Sequence, residues 1–241
     1  MKNGLVLGLD GAGKTLLLRQ LTAQLVREQK SVLARLVALT SSARGATSSS
    51  NGTKTETKNG DVSIDPTTQP TVGVEHWPLP LDGGRTCTLC EVGAQLLPMW
   101  PAYFEACDFW LFLVDASNPV QLAGAAVELF AVLGVEEMRR KPKLVVVNHI
   151  DADWTVDDAA LRTYLCLDRL LTDPEAGPVQ ILKVSALTGE NVEQILKWLS
   201  FVVTSSQFRP NPGLTLSISG RYRTGGRQLS STEVRVHPIT Q

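Results

Sequence analysis

Apolar runs alternate with helical patterns along most of the chain. Leu5, Val6 and Leu7 form a short apolar run that reads as a buried strand. Leu16, Leu17, Leu18, Leu21 and Leu25 then share one helical face. Phe109 to Val114 is continuously apolar, as a strand covered on both faces must be. The pattern goes on to predict a helix from Val120 to Leu133, a strand from Leu144 to Val147 and a helix from Thr155 to Leu171. Thr155 and Asp158 stand at capping-box spacing at the start of that helix. A strand from Val179 to Val184 and a helix from Glu190 to Val203 follow. Upstream, Val72 to Leu81 and Arg85 to Glu91 read as a hairpin turning at Asp82-Gly83-Gly84. Pro78 and Pro80 have no N–H for a ladder, which puts their strand at a sheet edge. The alternation predicts an α/β fold: a mostly parallel six-stranded sheet with helices on both faces and one antiparallel edge strand.

Two stretches leave this pattern. Residues 40–69 are dense in Ser, Thr, Gly, Asn and Lys and read as a disordered insertion. Residues 204–241, with Pro210, Pro212 and scattered Gly, read as a flexible tail. Within it, the alternation Leu214-Thr215-Leu216-Ser217-Ile218 suits a strand formed on binding.

The 241 residues are 43% hydrophobic, enough for one sizeable core. Their 23 basic and 24 acidic residues leave no positive excess to drive nucleic-acid binding. Four cysteines in a chain this long do not make a disulfide scaffold, so a reducing, cytoplasmic compartment is expected. No signal peptide or long apolar span is evident, Lys2 stands where N-myristoylation needs glycine, and the last residues hold no prenylation cysteine. No intrinsic membrane anchor is expected.

The chemistry begins at the first strand. Gly8-Leu9-Asp10-Gly11-Ala12-Gly13-Lys14-Thr15 fits the phosphate-loop pattern G-x-x-x-x-G-K-[ST] in full, between a strand and a helix. The glycines let successive N–H groups turn toward an anion, and the helix N-terminus adds its dipole. Lys14 is expected to reach the β- and γ-phosphates, and the Thr15 hydroxyl to bind Mg²⁺. Two later motifs end strands on the same sheet edge, where ligands of such folds bind. Asp151, in Asn148-His149-Ile150-Asp151, can accept from guanine N1–H and the 2-amino group. Adenine donates at neither place and would leave the carboxylate unpaired. Ser185-Ala186-Leu187 offers a backbone N–H to guanine O6. Guanine is the favoured base.

With these motifs in order, the chain resembles the ADP-ribosylation-factor-like (Arf-like) small GTPases from about Gly4 to Val203, apart from the insertion. Gly8-Leu9-Asp10 followed by Gly13-Lys14-Thr15 is characteristic of that family, as is Pro70-Thr71-Val72-Gly73 for its first switch. Glu91-Val92-Gly93-Ala94-Gln95 is similar to its second switch, and Asp115 to Leu122 adds a likeness to a divergent branch. The resemblance implies a P-loop small GTPase domain over residues 1–203 that binds GTP and GDP with Mg²⁺. It gives Thr71 the sensing of Mg²⁺ and the γ-phosphate, and Gln95 the orientation of attacking water. Glu91 takes the place of an aspartate that holds Mg²⁺ through water, and its extra methylene is expected to push the carboxylate outward and weaken the metal. Ala94 replaces a glycine whose N–H meets the γ-phosphate; the donor survives but the peptide flip becomes costly. His149 replaces a lysine whose stem covers the base, with loss of the ammonium's contact to the phosphate loop.

Hydrolysis is therefore expected to be slow, and no arginine finger is evident in the chain. The first strand starts too near Met1 for the family's N-terminal amphipathic helix, so membrane contact is expected only through partners. His76, Trp77 and Tyr103 are candidates for an exposed effector patch, with Trp77 covering its own sheet as the other reading. The family's aromatic effector positions hold Val74, Cys90 and Tyr103 here. Cys87 and Cys90 lie three apart on a strand and face opposite sides, against a metal site. Trp100, Phe104, Phe109, Trp110 and Phe112 are expected in the core and in switch packing. The resemblance implies a GTP/GDP switch in membrane or ciliary traffic that meets effectors through its switch and interswitch surface, with an exchange factor and an activating protein. A nearly inactive, constitutively loaded subunit of a larger complex is the second reading. A small P-loop kinase is a third, without the expected acceptor pocket or Arg-rich lid.

Overall fold

A computed structural model describes residues 1–42, 64–173, 175, 177 and 179–205. Most of the expected insertion, and the tail with its Leu214–Ile218 alternation, lie outside the described residues.

Six strands form one sheet in the order β2-β3-β1-β4-β5-β6, comprising β1 Lys2–Gly8, β2 Val74–Leu81, β3 Arg85–Val92, β4 Phe109–Asp115, β5 Lys143–Asn148 and β6 Val179–Lys183. Among the described residues only the β2–β3 pair is antiparallel, and β2 lies at the edge as its prolines require. The continuous hydrophobicity of β4 has a simple cause. Trp110, Phe112 and Val114 face one core cluster, while Phe109, Leu111 and Leu113 face the other.

The first cluster is roofed by α2 Pro119–Gly134, α3 Glu136–Arg140, α4 Asp158–Tyr164 and α5 Leu167–Thr172. The second is covered by α1 Lys14–Ser42 and α6 Val192–Thr204. The aromatic residues expected in the core are all there. Trp100 meets Phe112 edge-on at 6.3 Å, and Phe109 meets Trp198 at 5.7 Å. Cys87 and Cys90 point into different clusters, and among the described residues no group of metal-ligating side chains includes them. Among those residues, too, no helix is long and apolar enough to cross a membrane.

Three local expectations need correction. The helix expected over Thr155–Leu171 is two short ones, because Cys166 turns left-handed (φ 46°) between α4 and α5. Its cap is Asp157, whose side chain accepts from Ala160 N at 2.7 Å, not Thr155. Helix α1 continues to Ser42, past the start expected for the insertion, and Val32, Leu33, Leu36 and Val37 on it are exposed. The proposed effector patch also divides. Val74 packs against the first cluster and Trp77 against the second, so alternation puts His76 and Trp77 on opposite faces of the edge strand. Trp77 covers its own sheet. Val74, Cys90 and Tyr103 pack together against the first cluster.

Candidate nucleotide site

The phosphate loop joins β1 to α1, so its amides open at the carboxyl edge of the sheet. Gly13 needs both its conformation and its small size. Its φ is 85°, and an added Cβ would lie 2.2 Å from Asn148 Nδ2. Gly11 also has positive φ (74°), and Ala12 is buried between them. Lys14 is 6% exposed and its ammonium donates to the carbonyls of Gly8 (2.9 Å) and Leu9 (3.1 Å). Burial pulls its pKa below the ordinary lysine value, while Glu91 and Asp10 work the other way.

Thr15, Thr71 and Glu91 are brought together from three segments. The Thr15 hydroxyl donates to Glu91 Oε1 at 2.7 Å, the Thr71 hydroxyl donates to the same oxygen at 2.9 Å, and the hydroxyl oxygens lie 3.0 Å apart. Glu91 is fully buried, and among the described residues no donor reaches its Oε2. A buried carboxylate with an unused oxygen and two hydroxyls beside it is a hard-oxygen donor set that fits Mg²⁺. The longer side chain carries the carboxylate onto the two hydroxyls.

The two switch-like segments touch beside this triad. Gly93 N donates to Gly73 O at 3.0 Å, and a Cβ on Gly93 would meet Thr71 O at 2.1 Å. Ala94 and Gln95 open the 3₁₀ stretch Ala94–Tyr103, with Gln95 exposed. Trp100 Nε1 donates to Gly93 O at 3.4 Å, which anchors that stretch to the core. Arg19 on α1 donates to the carbonyls of Asp65 (3.3 Å) and Thr67 (2.9 Å), guiding the approach to Thr71.

On the base side, Asn148 is fully buried and uses both ends of its amide. It donates to Ala12 O and accepts from Ala186 N. Ser185 and Ala186 are fully buried, whereas Leu187 and Asp151 are exposed at the rim. Ser185 Oγ accepts from Thr188 N at 2.9 Å and shapes the loop after β6. His149 adopts a left-handed conformation (φ 65°), unusual for a residue with a side chain. Its Nδ1 lies 2.8 Å from Asp115 Oδ1 as an ion pair, with the ring N–H off the line between the atoms. The Asp115 carboxylate, aided by the charge of Asp151, raises the imidazole's pKa against the opposing effect of burial. Burial would raise the Asp115 carboxyl in turn, but His149 and Ser117 hold it below the usual value. The imidazole lies near the phosphate loop, where a Cβ added at Gly13 would come 3.3 Å from His149 Nε2.

Sequence reasoning assigned no role here to Asp115, Gly93 or Gln121. Gln121 Nε2 donates to Asp10 O at 2.7 Å, bracing the phosphate loop from α2. Gln121 and Asp115 both stand in the Asp115–Leu122 segment that resembles the family, which was the available signal.

The family model described as "ADP-ribosylation factor family" matches residues 55–203, a span that begins beyond the phosphate loop. ADP-ribosylation factor-like protein 16 of Homo sapiens is 26% identical over 195 residues, covering 81% of this chain and 83% of that protein. ADP-ribosylation factor-like protein 3 of Saccharomyces cerevisiae is 29% identical over 133 residues, covering 54% of this chain and 66% of that protein. The solved structure of the Arl6 BBS3 small GTPase from Trypanosoma brucei, with bound nucleotide analogue GppNp, shares the fold. Its TM-score is 0.58 at 22% identity, over 84% of this chain and 97% of that one. The chain belongs to the ADP-ribosylation factor (Arf) family of GTP-binding small GTPases.

Proposed function

We propose that this chain is a guanine-nucleotide switch in which GTP and Mg²⁺ order the Thr71 and Gln95 segments into an effector surface. The observation that carries this reading is the convergence of Thr15, Thr71 and Glu91, which joins the phosphate loop to both switch segments. The amides of Gly11, Ala12, Gly13, Lys14 and Thr15 would cradle the phosphates, and Lys14, now on the carbonyls of Gly8 and Leu9, would supply them with its positive charge. Thr15, Thr71 and Glu91 would hold Mg²⁺, and the ion would supply positive charge beside the phosphates. Asp151 selects guanine and His149 covers the base, while the Ala186 N–H, held by Asn148 Oδ1, fixes the loop that closes the base pocket.

Hydrolysis is slow on this reading. Gln95 is the residue that orients water, but it lies exposed, and Ala94 restricts the peptide that must present its N–H to the γ-phosphate. A partner supplies the missing acceleration, and an exchange factor reloads the protein. Effectors meet the face carrying Val74, Cys90 and Tyr103. The Arf-family likeness supports work in membrane or ciliary traffic. Residues 1–203 form the switch domain, with residues 40–69 and 204–241 as additions to it.

The test is to identify by mass spectrometry the nucleotide that copurifies, then to follow exchange and single-turnover hydrolysis. A switch carries GDP or GTP and exchanges it. Absence of any guanine nucleotide, with none taken up in Mg²⁺ buffer, overturns the reading. A nucleotide that neither exchanges nor turns over identifies a constitutively loaded subunit instead.

A further inference from the structure

Glu91 lies on β3 opposite Val6 of β1, and its carboxylate is completely buried. Three oxygens form a triangle there: Glu91 Oε1 to Thr15 Oγ1 is 2.7 Å, Glu91 Oε1 to Thr71 Oγ1 is 2.9 Å, and the two hydroxyls are 3.0 Å apart. Neighbouring ligands of an octahedral Mg²⁺ stand about 2.9 Å apart, given metal–oxygen bonds of about 2.0–2.1 Å. The hydrogen-bonded triangle therefore already has the spacing of one face of that octahedron. A cation can cap it without moving the oxygens, replacing two hydroxyl hydrogen bonds.

The side-chain length matters here. An aspartate at this position would withdraw its carboxylate by one carbon–carbon bond, about 1.5 Å. Its oxygen would then fall short of the hydroxyls and would need a water, which spans about 2.7–2.8 Å per hydrogen bond. Glutamate closes the gap itself. The unpartnered Oε2 leaves the buried carboxylate's charge poorly compensated, which favours a cation beside it.

We propose that Glu91 is a direct ligand of the nucleotide's divalent cation, in the place where the family's aspartate acts through a water. The inference rests on the switch reading above and sharpens it. Direct ligation removes one water from the metal and links β3 rigidly to the phosphate loop, so metal release is coupled to movement of the second switch.

The experiment uses the full chain loaded with Mn²⁺ and GppNp, with loading verified first by mass spectrometry. Broadening of the Mn²⁺ resonance in ¹⁷O-enriched water counts the waters on the metal. With Thr15, Thr71, Glu91 and two phosphate oxygens as ligands, one water is expected in the unaltered protein. Glu91→Asp is expected to show one more, and Glu91→Gln to bind Mn²⁺ on the order of tenfold more weakly through loss of the charge. Two waters in the unaltered protein overturn the inference, whether or not Glu91→Asp folds. Equal counts in unaltered protein and Glu91→Asp overturn it as well. Failure to load any guanine nucleotide sinks the switch reading, a distinct result visible before the metal is added.

Discussion

The Asn148 side chain donates from Nδ2 to the Ala12 carbonyl at 3.0 Å, tying the end of β5 to the phosphate loop across 136 positions of sequence. Its Oδ1 accepts from Ala186 N at 2.9 Å, so one buried amide joins the phosphate loop, the base loop and the loop after β6. Removing it leaves a carbonyl and an N–H without their partner. Asn148→Ala is expected to cost about 1–3 kcal/mol of stability and to speed nucleotide release. Chemical denaturation and stopped-flow release of a fluorescent guanine nucleotide check this; unchanged release would limit the tie to folding.

Gly93 joins the two switch segments through its backbone, its N–H donating to Gly73 O at 3.0 Å. Gly93→Ala drives its Cβ to 2.1 Å from Thr71 O, a clash with backbone that cannot rotate away. A loss of about 1–3 kcal/mol and weaker Mg²⁺-dependent nucleotide binding are expected. Gly134→Ala at the end of α2 meets nothing within 4 Å and is expected to be neutral or slightly stabilising. Thermal melts of the pair with and without Mg²⁺ and GDP separate the site effect from general loss of stability.

His149 makes stability depend on pH near neutrality. Its folded pKa is raised by Asp115, so the protonated ring is the stabilising form. That contribution is complete below the ordinary value of about 6.5 and disappears as pH rises through the higher folded value. The Asp115 carboxyl is held low, so its own contribution is present above the usual carboxylate range and is lost only in acid. The melting temperature is expected to fall as pH rises from about 6.5 through the raised folded value, and His149→Gln to flatten that part of the profile. A parallel profile in the variant would remove the ion pair from the account.

Asp151→Asn is expected to relax the preference for guanine. An amide can donate to a xanthine oxygen where the carboxylate required donors, so discrimination between GTP and xanthosine triphosphate should shift by on the order of tenfold or more. Competition titrations read it directly. Retained discrimination would mean that another group reads the base.

Cysteine labelling tests the packing. Burial pushes the Cys87 and Cys107 thiols up to about 11, and both are buried, while Cys166 is exposed. Under native conditions Cys166 is expected to label fast and Cys87 and Cys107 only on unfolding. Mass spectrometry over time identifies the order.

Adjacent residues carried much of this protein in plain view. The phosphate loop is eight consecutive positions, and its strand and helix flank it directly, so geometry and chemistry are both local. Strand β4 announced two buried faces by unbroken hydrophobicity, and Pro78 and Pro80 marked the edge because a missing N–H is a property of the residue itself. The family likeness added the switch positions. Helix ends were less legible: the break at Cys166 depends on how α4 and α5 each reach the core, which periodicity across Thr155–Leu171 does not register.

Tertiary structure alone decided what crosses between loops. Composition could not show that Asn148 spends both ends of its amide on Ala12 and Ala186, that Gln121 braces Asp10, or that His149 pairs with Asp115. Nor could it show that the Glu91 carboxylate meets the hydroxyls of Thr15 and Thr71, because strand register decides what lies within its reach. Local sequence specifies propensities and motifs, whose interactions span a few residues. Loops at the carboxyl ends of neighbouring strands meet only after the sheet has assembled, and the distances that decide their chemistry come from that assembly.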